Sequence, residues 1–299
     1  MVVASADGWV PEAAVVERLS SLPCIVIAAG GAAASHPLAD TVAEPGVASV
    51  DDVLRVVERN PVAATTLVLC MRQAPPSIER GLVTESAAYS VLQSGAEFTA
   101  WRRARPPRRD RAGEGPAVRV TRAGDRLDLV LSRPHSRNAL NRAMRDGLLE
   151  GLALAAADPS LATVVLRGEG TSFCSGGDLD EFGTFSDPAA AHLVRLGTSI
   201  GRALLALGER LVVEVHGPCA GSGVELPAFA PRVLAHPDFT AALPEVGLGL
   251  IPGAGGTVSI TRRVGRHRMV LLALSGARID AATALRWGLV DEVGERGLR

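Results

Sequence analysis

At 299 residues, 47% hydrophobic and 21% charged, with a formal net charge of -1, the chain has the composition of a soluble globular protein large enough for one big core or two smaller ones. Its 31 basic residues are all arginine, which excludes Schiff-base chemistry through a lysine amine. Cys24, Cys70, Cys174 and Cys219 are scattered, without the paired spacing of a zinc site or redox dithiol, and so predict a reducing cytoplasmic setting with no metal and no disulfide framework.

The chain opens without the basic segment and apolar core of a signal peptide, and no apolar run reaches membrane-spanning length, so no membrane partner is expected. Residues 1–46 are Ala-rich, with a helix predicted over 11–19 and a buried strand over 24–28 that Gly30-Gly31 ends. The glycines after that strand lack the full nucleotide-binding pattern and read as a plain turn. Ser49 and Asp52 form a capping-box pattern ahead of a helix to Arg59, with Val53, Val56 and Val57 on one face. Asn60-Pro61 breaks it. Helices then follow over 62–72, over 79–93 after a Pro75-Pro76 turn, and from Glu97 across Phe98 and Trp101. The Pro-, Arg- and Gly-rich stretch 106–116 keeps neither periodicity and predicts a linker. The arginine cluster 102–111 has no interleaved aromatics and two prolines, so no nucleic-acid partner is expected.

From residue 117 strands alternate with helices. Strands are predicted over 118–122 and 126–131, then a helical stripe of Met144, Leu148, Leu152 and Ala155 that stops at Asp158-Pro159, then a strand over 162–166. Ser186-Asp187-Pro188 is expected to cap one long helix with Leu193, Leu196, Ile200 and Leu204 on one face, and 211–215 reads as a strand. The succession predicts a layered α/β architecture. The chemistry concentrates in 215–257, where a Gly-Ser-Gly turn precedes a helix, Glu225 follows one turn later, and Glu245 lies in a Pro-Glu pair.

Five motifs in order resemble the crotonase (enoyl-CoA hydratase/isomerase) superfamily over roughly 118–293. They are S-R-P-H-S-R-N-A-L, F-C-S-G-G-D-L, H-G-P-C-A-G-S-G-V-E-L, L-P-E-V-G-L-G-L-I-P-G-A-G-G-T and L-S-G-A-R-I-D-A-A-T-A-L-R-W-G-L-V-D-E-V. The resemblance implies a crotonase-like (ββα)n spiral core and an acyl-CoA substrate, with CoA as part of the thioester and no separate cofactor. It implies an oxyanion hole from the N–H groups of Gly177 and Ser222, as glycine-rich turns at helix starts would supply. It places Arg137, Ala139, Ser175, Gly176, Asp178, Leu179 and Gly221 at the CoA and acyl groups. Glu225 and Glu245 align with the two glutamates that hydratases use, one to take a proton from water and one to deliver a proton to Cα. Two carboxylates at one site push their pKa values apart, giving an acid and a base at one pH. The family further implies a homotrimer or a hexamer of two trimers.

The sequence departs from the family at Ser222, usually glycine, and at Pro227 and Pro231, where the helix is usually uninterrupted; Pro231 is expected to end it early. Asp178 is expected to cap the next helix, His216 to be structural, and Cys174 and Cys219 to be small core residues. Crotonases continue past W-G-L-V-D-E-V with further helices. Here V-D-D-V-L-R-V-V-E-R-N-P-V-A-A and the segment 81–105 resemble those helices from the front of the chain. The expected organisation is therefore a circular permutation: an extension of unknown role (1–46), helices standing in for the C-terminal ones (47–105), a linker (106–116) and the core with the CoA site (117–299). The expected reaction is hydration of a 2-enoyl-CoA. The alternatives are an isomerase or other enolate-forming reaction resting mainly on Glu245, and a degenerate structural or binding subunit.

Overall fold

The computed structural model describes residues 2–5, 12–29, 38–73, 77–105 and 115–295. The turns expected at Gly30-Gly31 and Pro75-Pro76, and most of the 106–116 linker, lie outside these residues. The chain opens on a parallel sheet of β1 (Val2–Ser5), β2 (Val26–Ala29) and β3 (Thr41–Val42), with α1 (Ala13–Ser20) between the first two strands. Four helices without strands follow: α2 (Val50–Arg59), α3 (Pro61–Gln73), α4 (Ile78–Gln93) and α5 (Ala96–Ala104). The capping box forms in both directions, Asp52 N–H donating to Ser49 Oγ and Ser49 N–H to Asp52 Oδ2. Pro61 opens α3, where its missing N–H is one that no helix could have paired. The start of α3 is capped through space, with Val62 and Ala63 N–H donating to the two carboxylate oxygens of Glu97 at 2.8 and 2.9 Å.

The core comprises β4 (Val118–Ala123), β5 (Arg126–Leu131), α6 (Arg142–Ala157), β6 (Thr163–Gly168), α7 (Pro188–Gly197), α8 (Ile200–Leu205), β7 (Leu211–Val215), β8 (Pro218–Ala220), α9 (Ser222–Glu225), β9 (Arg232–Ala235), β10 (Thr240–Ala242), α10 (Gly256–Val264), α11 (Arg266–Ser275), β11 (Arg278–Asp280), α12 (Ala281–Trp287) and β12 (Glu292–Val293). A six-stranded sheet runs β12-β9-β7-β6-β5-β4, parallel apart from the β4–β5 hairpin, and a second sheet runs β11-β10-β8. Val164, Val165 and Leu166 are buried in succession on β6, as an interior parallel strand covered on both faces requires. The stripe expected on α6 faces this core: Met144, Leu148, Leu152 and Ala155 are all buried.

Two local expectations change. The single helix after Asp187 is two, because Ser199 caps a fresh start at α8 by accepting from Arg202 N–H, and Leu193 is 69% exposed rather than on a buried face. The α-helix after Gly221 ends at Glu225, before Pro231. Pro227 has no N–H to continue the ladder, so a 3-10 turn over Pro227–Phe229 takes its place.

The N-terminal helices share the core rather than forming a body of their own. Helices α2 and α3 lie on α11, α4 on α7 and α10, and α5 on the 3-10 turn Glu245–Leu248. Val53, Leu67, Val68 and Phe98 join one continuous apolar cluster with Leu243, Leu250 and Leu271. Each such side chain fully removed from water contributes about 1.5–3 kcal/mol toward holding the block on the core.

One unit of the fold occurs twice. In L-V-D-E-V, Asp291 N–H donates to Val233 O while Val233 N–H donates to Asp291 Oδ2, and Arg263 pairs with the carboxylate. In L-A-D-T-V, Asp40 N–H donates to Val26 O while Val26 N–H donates to Asp40 Oδ2, and Arg72 pairs with the carboxylate. The strands beside each Asp run parallel in both places. Thus β2–β3 repeats β9–β12, immediately ahead of α2. This gives part of the 1–46 extension a structural role, since Arg72 also gathers the carbonyls of Leu19, Leu22 and Cys24 onto α3.

Candidate active site

A cavity of about 420 Å³ opens between the core and the N-terminal block, with Gly177, Ser222, Glu225 and Glu245 on one side and Glu85 and Tyr89 of α4 on the other. Glycine at 221, with φ 49°, turns the chain from β8 into α9. A Cβ there would collide with Glu245 Oε1 and lie 3.8 Å from Glu225 Oε1, so the two carboxylates converge across a position only hydrogen can occupy. Ser222 adopts helical backbone angles, which removes the steric objection to its side chain. The N–H groups of Ser222 and Gly177 make no hydrogen bond to another described residue. The two turns that carry them touch: a Cβ on Gly176 would meet Ala220 O at 2.9 Å.

The glutamates differ in their surroundings. Glu225 is 2% exposed, and its Oε2 accepts from Ala254 and Gly256 N–H, both at 2.8 Å. Glu245 is 8% exposed, and its Oε2 is buried without a partner among the described residues. A third carboxylate, Glu85, is 3% exposed and accepts from Gly255 N–H at 2.6 Å, Thr257 N–H at 2.8 Å and the Thr257 hydroxyl at 2.6 Å. The amides of 254–257 therefore alternate between Glu225 and Glu85, so the N–H groups of the N-cap Gly255 and of Gly256 and Thr257 at the start of α10, with Ala254 before them, are shared between two carboxylates from distant parts of the chain.

Burial pushes Glu85 up to about 7 against the donors on Thr257 and Gly255. Burial, reinforced by Glu85, pushes Glu245 up to about 7. Burial first, then Glu245 and Glu85, raises Glu225 well above the ordinary carboxylate range, while its two amides pull it back. Three carboxylates around one cavity raise one another's affinity for a proton, and donors on a carboxylate oppose that effect. The amides on Glu85 and Glu225 favour their anionic forms against burial, whereas Glu245 has only its own backbone N–H to do so.

The remaining expected residues have other stations. Arg137, Ala139, Ser175, Gly176 and Leu179 do not line this cavity, whereas Gly221 backs its two glutamates. Arg137 O accepts from Ser175 N–H, which ties the first loop to the second. Asp178 borders the cavity but caps no helix: the chain turns without one after it, Oδ1 accepts from Asp180 N–H, and Oδ2 accepts from Arg133. His216 Nε2 lies 3.1 Å from Gly170 O. Cys174 and Cys219 are buried, and burial raises their thiols to about 11 and about 12, far from a nucleophilic thiolate. No cluster of His, Cys, Asp and Glu suited to a metal occurs among the described residues. Glu85, Tyr89 and Arg195 were not singled out from sequence. The T-E-S of α4 carries no spacing signal toward a loop 170 residues away.

The sequence pattern of the family described as enoyl-CoA hydratase/isomerase matches residues 127–296. The chain belongs to this family. The 2,3-dehydroadipyl-CoA hydratase of Escherichia coli is 37% identical over 174 residues, covering 58% of this chain and 68% of that protein. The mevalonyl-coenzyme A hydratase of Beauveria bassiana is 32% identical, covering 57% of this chain and 64% of that protein. The crystal structure of enoyl-CoA hydratase from Thermoplasma volcanium superposes with a TM-score of 0.57 at 33% identity, covering 61% of this chain and 73% of that one. This chain thus spans about two thirds of such relatives. The α/β core is the crotonase fold, and membership places the chain among hydratase-like enzymes acting on acyl-CoA. No helix among the described residues is long and apolar enough to cross a membrane.

Proposed function

We propose that the protein hydrates a 2-enoyl-CoA thioester between Glu225 and Glu245. The observation that carries this reading is the convergence of the two carboxylates across Gly221, one fixed by two amides and the other with an unpartnered buried oxygen. Glu225, held as the anion, takes a proton from water as the water oxygen bonds to Cβ. The π electrons move to the thioester oxygen, where the Gly177 and Ser222 N–H groups meet the developing charge. Glu245 gives its proton to Cα as the enolate collapses, and proton exchange between the carboxylates resets the pair. An isomerase needs only one of these carboxylates; the retention of both, differently solvated, favours hydration. A degenerate subunit would gain nothing from burying Glu245 Oε2 without a partner among the described residues, a cost that a catalytic role explains. Glu245→Gln keeps the shape and removes the proton donor, and is expected to lower kcat by about 10²–10⁴ with substrate binding retained. Consumption of a crotonyl-CoA-like thioester at an undiminished rate by this variant would refute the assignment.

We infer further that residues 47–105 supply the helices that follow the core elsewhere in the family. Their packing on α10, α11 and the Glu245 turn supports this, as does the repeated L-x-D-x-V unit ahead of them. In that reading Glu85 closes the site from the front of the chain. The four free cysteines fit a cytoplasmic, reducing setting. A trimer or dimer of trimers is carried over from the family alone, and sedimentation of the purified chain tests it.

A further inference from the structure

Among the charged groups of the cavity that have no part in the chemistry above, one stands apart. Arg195, on α7, lines the same cavity as Glu225 and Glu245. It is held in place from α4: its guanidinium lies 4.6 Å from the centre of the Tyr89 ring, Nε donates to Ser86 Oγ at 3.1 Å, and Nη2 donates to Ser90 Oγ at 2.6 Å. Ser86 Oγ is itself 2.9 Å from His192 Nδ1, which fixes the hydroxyl. None of these hydrogen-bond partners is anionic; Glu85 lies near enough for the two charges to attract, but no Asp or Glu among the described residues comes within ion-pair distance of Arg195. Its Nη1 makes no hydrogen bond to a described residue. The other arginines bordering the cavity differ: Arg142 is exposed, and Arg145 is paired with Asp146.

The cavity that Arg195 borders has apolar lining from Leu82, Phe182, Ile200 and Leu226, alongside the carboxylates of Asp178 and Glu181 and the three glutamates. A saturated hydrocarbon chain filling such a cavity would strip water from the guanidinium and leave its open Nη1 without an acceptor, with only the more distant Glu85 to offset the charge. A carboxylate would match the charge and the planar donor edge together. We propose that Arg195 reads a carboxylate at the far end of the acyl chain, so that the preferred substrate is a dicarboxylic 2-enoyl-CoA. This rests on the hydratase reading above, and deepens it from reaction to substrate class.

The test compares hydration of two 2-enoyl-CoA thioesters of equal chain length, one ending in a carboxylate and one in a methyl group, by the full chain and by Arg195→Gln and Arg195→Lys. One charge-assisted contact predicts a kcat/KM ratio of roughly ten- to a hundredfold in favour of the dicarboxylic substrate, expressed in KM. Arg195→Gln brings the ratio to about one, and Arg195→Lys, which keeps charge but loses the fork, falls between. A ratio near one in the unsubstituted protein overturns the proposal. So does a ratio that Arg195→Gln leaves intact because both rates fall together, which would make Arg195 a counter-charge for the three glutamates. If neither thioester is hydrated, the hydratase reading fails instead. Calorimetric binding of the two saturated CoA thioesters then tests Arg195 alone, and equal affinities overturn its role.

Discussion

Replacing Glu85 by Gln tests the claim that a carboxylate from the N-terminal block is buried, charged and tied to the turn that opens α10. Burial raises this group from an ordinary 4.5 to about 7, which corresponds to about 3 kcal/mol of stability forfeited once it is ionised in the folded state. The sign follows from which state releases its proton first. Below pH 4.5 folded and unfolded chains both hold the proton and nothing is lost. Between 4.5 and about 7 the unfolded chain ionises first, so stability falls as pH rises; above about 7 the loss is complete. Gln cannot titrate and escapes this loss, but it presents an NH2 group where Gly255 or Thr257 donates. The unmatched buried donor costs about 1–3 kcal/mol at every pH. Urea unfolding followed by tryptophan fluorescence should therefore show Glu85→Gln less stable than the parent at pH 5 by that amount less the roughly 0.8 kcal/mol the parent has already lost there. The gap should close by about 2–3 kcal/mol at pH 8. A gap that stays constant between the two pH values would refute the reasoning, because it would mean that Glu85 does not titrate between them.

Two further outcomes follow from close contacts. Gly221→Ala places a methyl group at φ 49° against Glu245 Oε1 and should lower kcat/KM by about 100-fold through a displacement on the order of 1 Å, measured on enoyl-CoA hydration; activity within about twofold of the parent would contradict the geometry. Moving residues 47–105 to follow residue 295 through a flexible linker should give a folded, active chain, since the helices would pack on the same surfaces of α10 and α11. An insoluble or inactive product with an intact linker would count against the stand-in role of these helices.

The legible part of the site was the part written within short spans. Gly221, Ser222 and Glu225 lie on one turn, and Gly177 sits in a glycine-rich loop whose exposed amides announce an anion. Periodicity likewise gave α6 its buried stripe, and Ser49 with Asp52 its capping box. Elsewhere local signals misled. Apolar spacing joined α7 to α8, although Ser199 starts a new helix between them and leaves Leu193 in solvent. Pro231 reads as the helix stop, but Pro227 acts first. Asp178 has the residue type of a cap, but Arg133 claims its carboxylate and no helix follows.

The sequence by itself determined the family core, the two catalytic candidates and the existence of a helical block before them, because each is encoded by patterns within one or two turns of chain. Only the tertiary structure decided that Glu85 and Glu225 divide the amides of one turn, that Arg195 is held on Tyr89 over the same cavity, and that L-A-D-T-V repeats the geometry of L-V-D-E-V. The reason is electrostatic and spatial. A carboxylate's charge state is set by the donors and charges within a few ångströms, and here those neighbours come from positions as far apart as 85 and 257, a separation on which no local spacing has any hold.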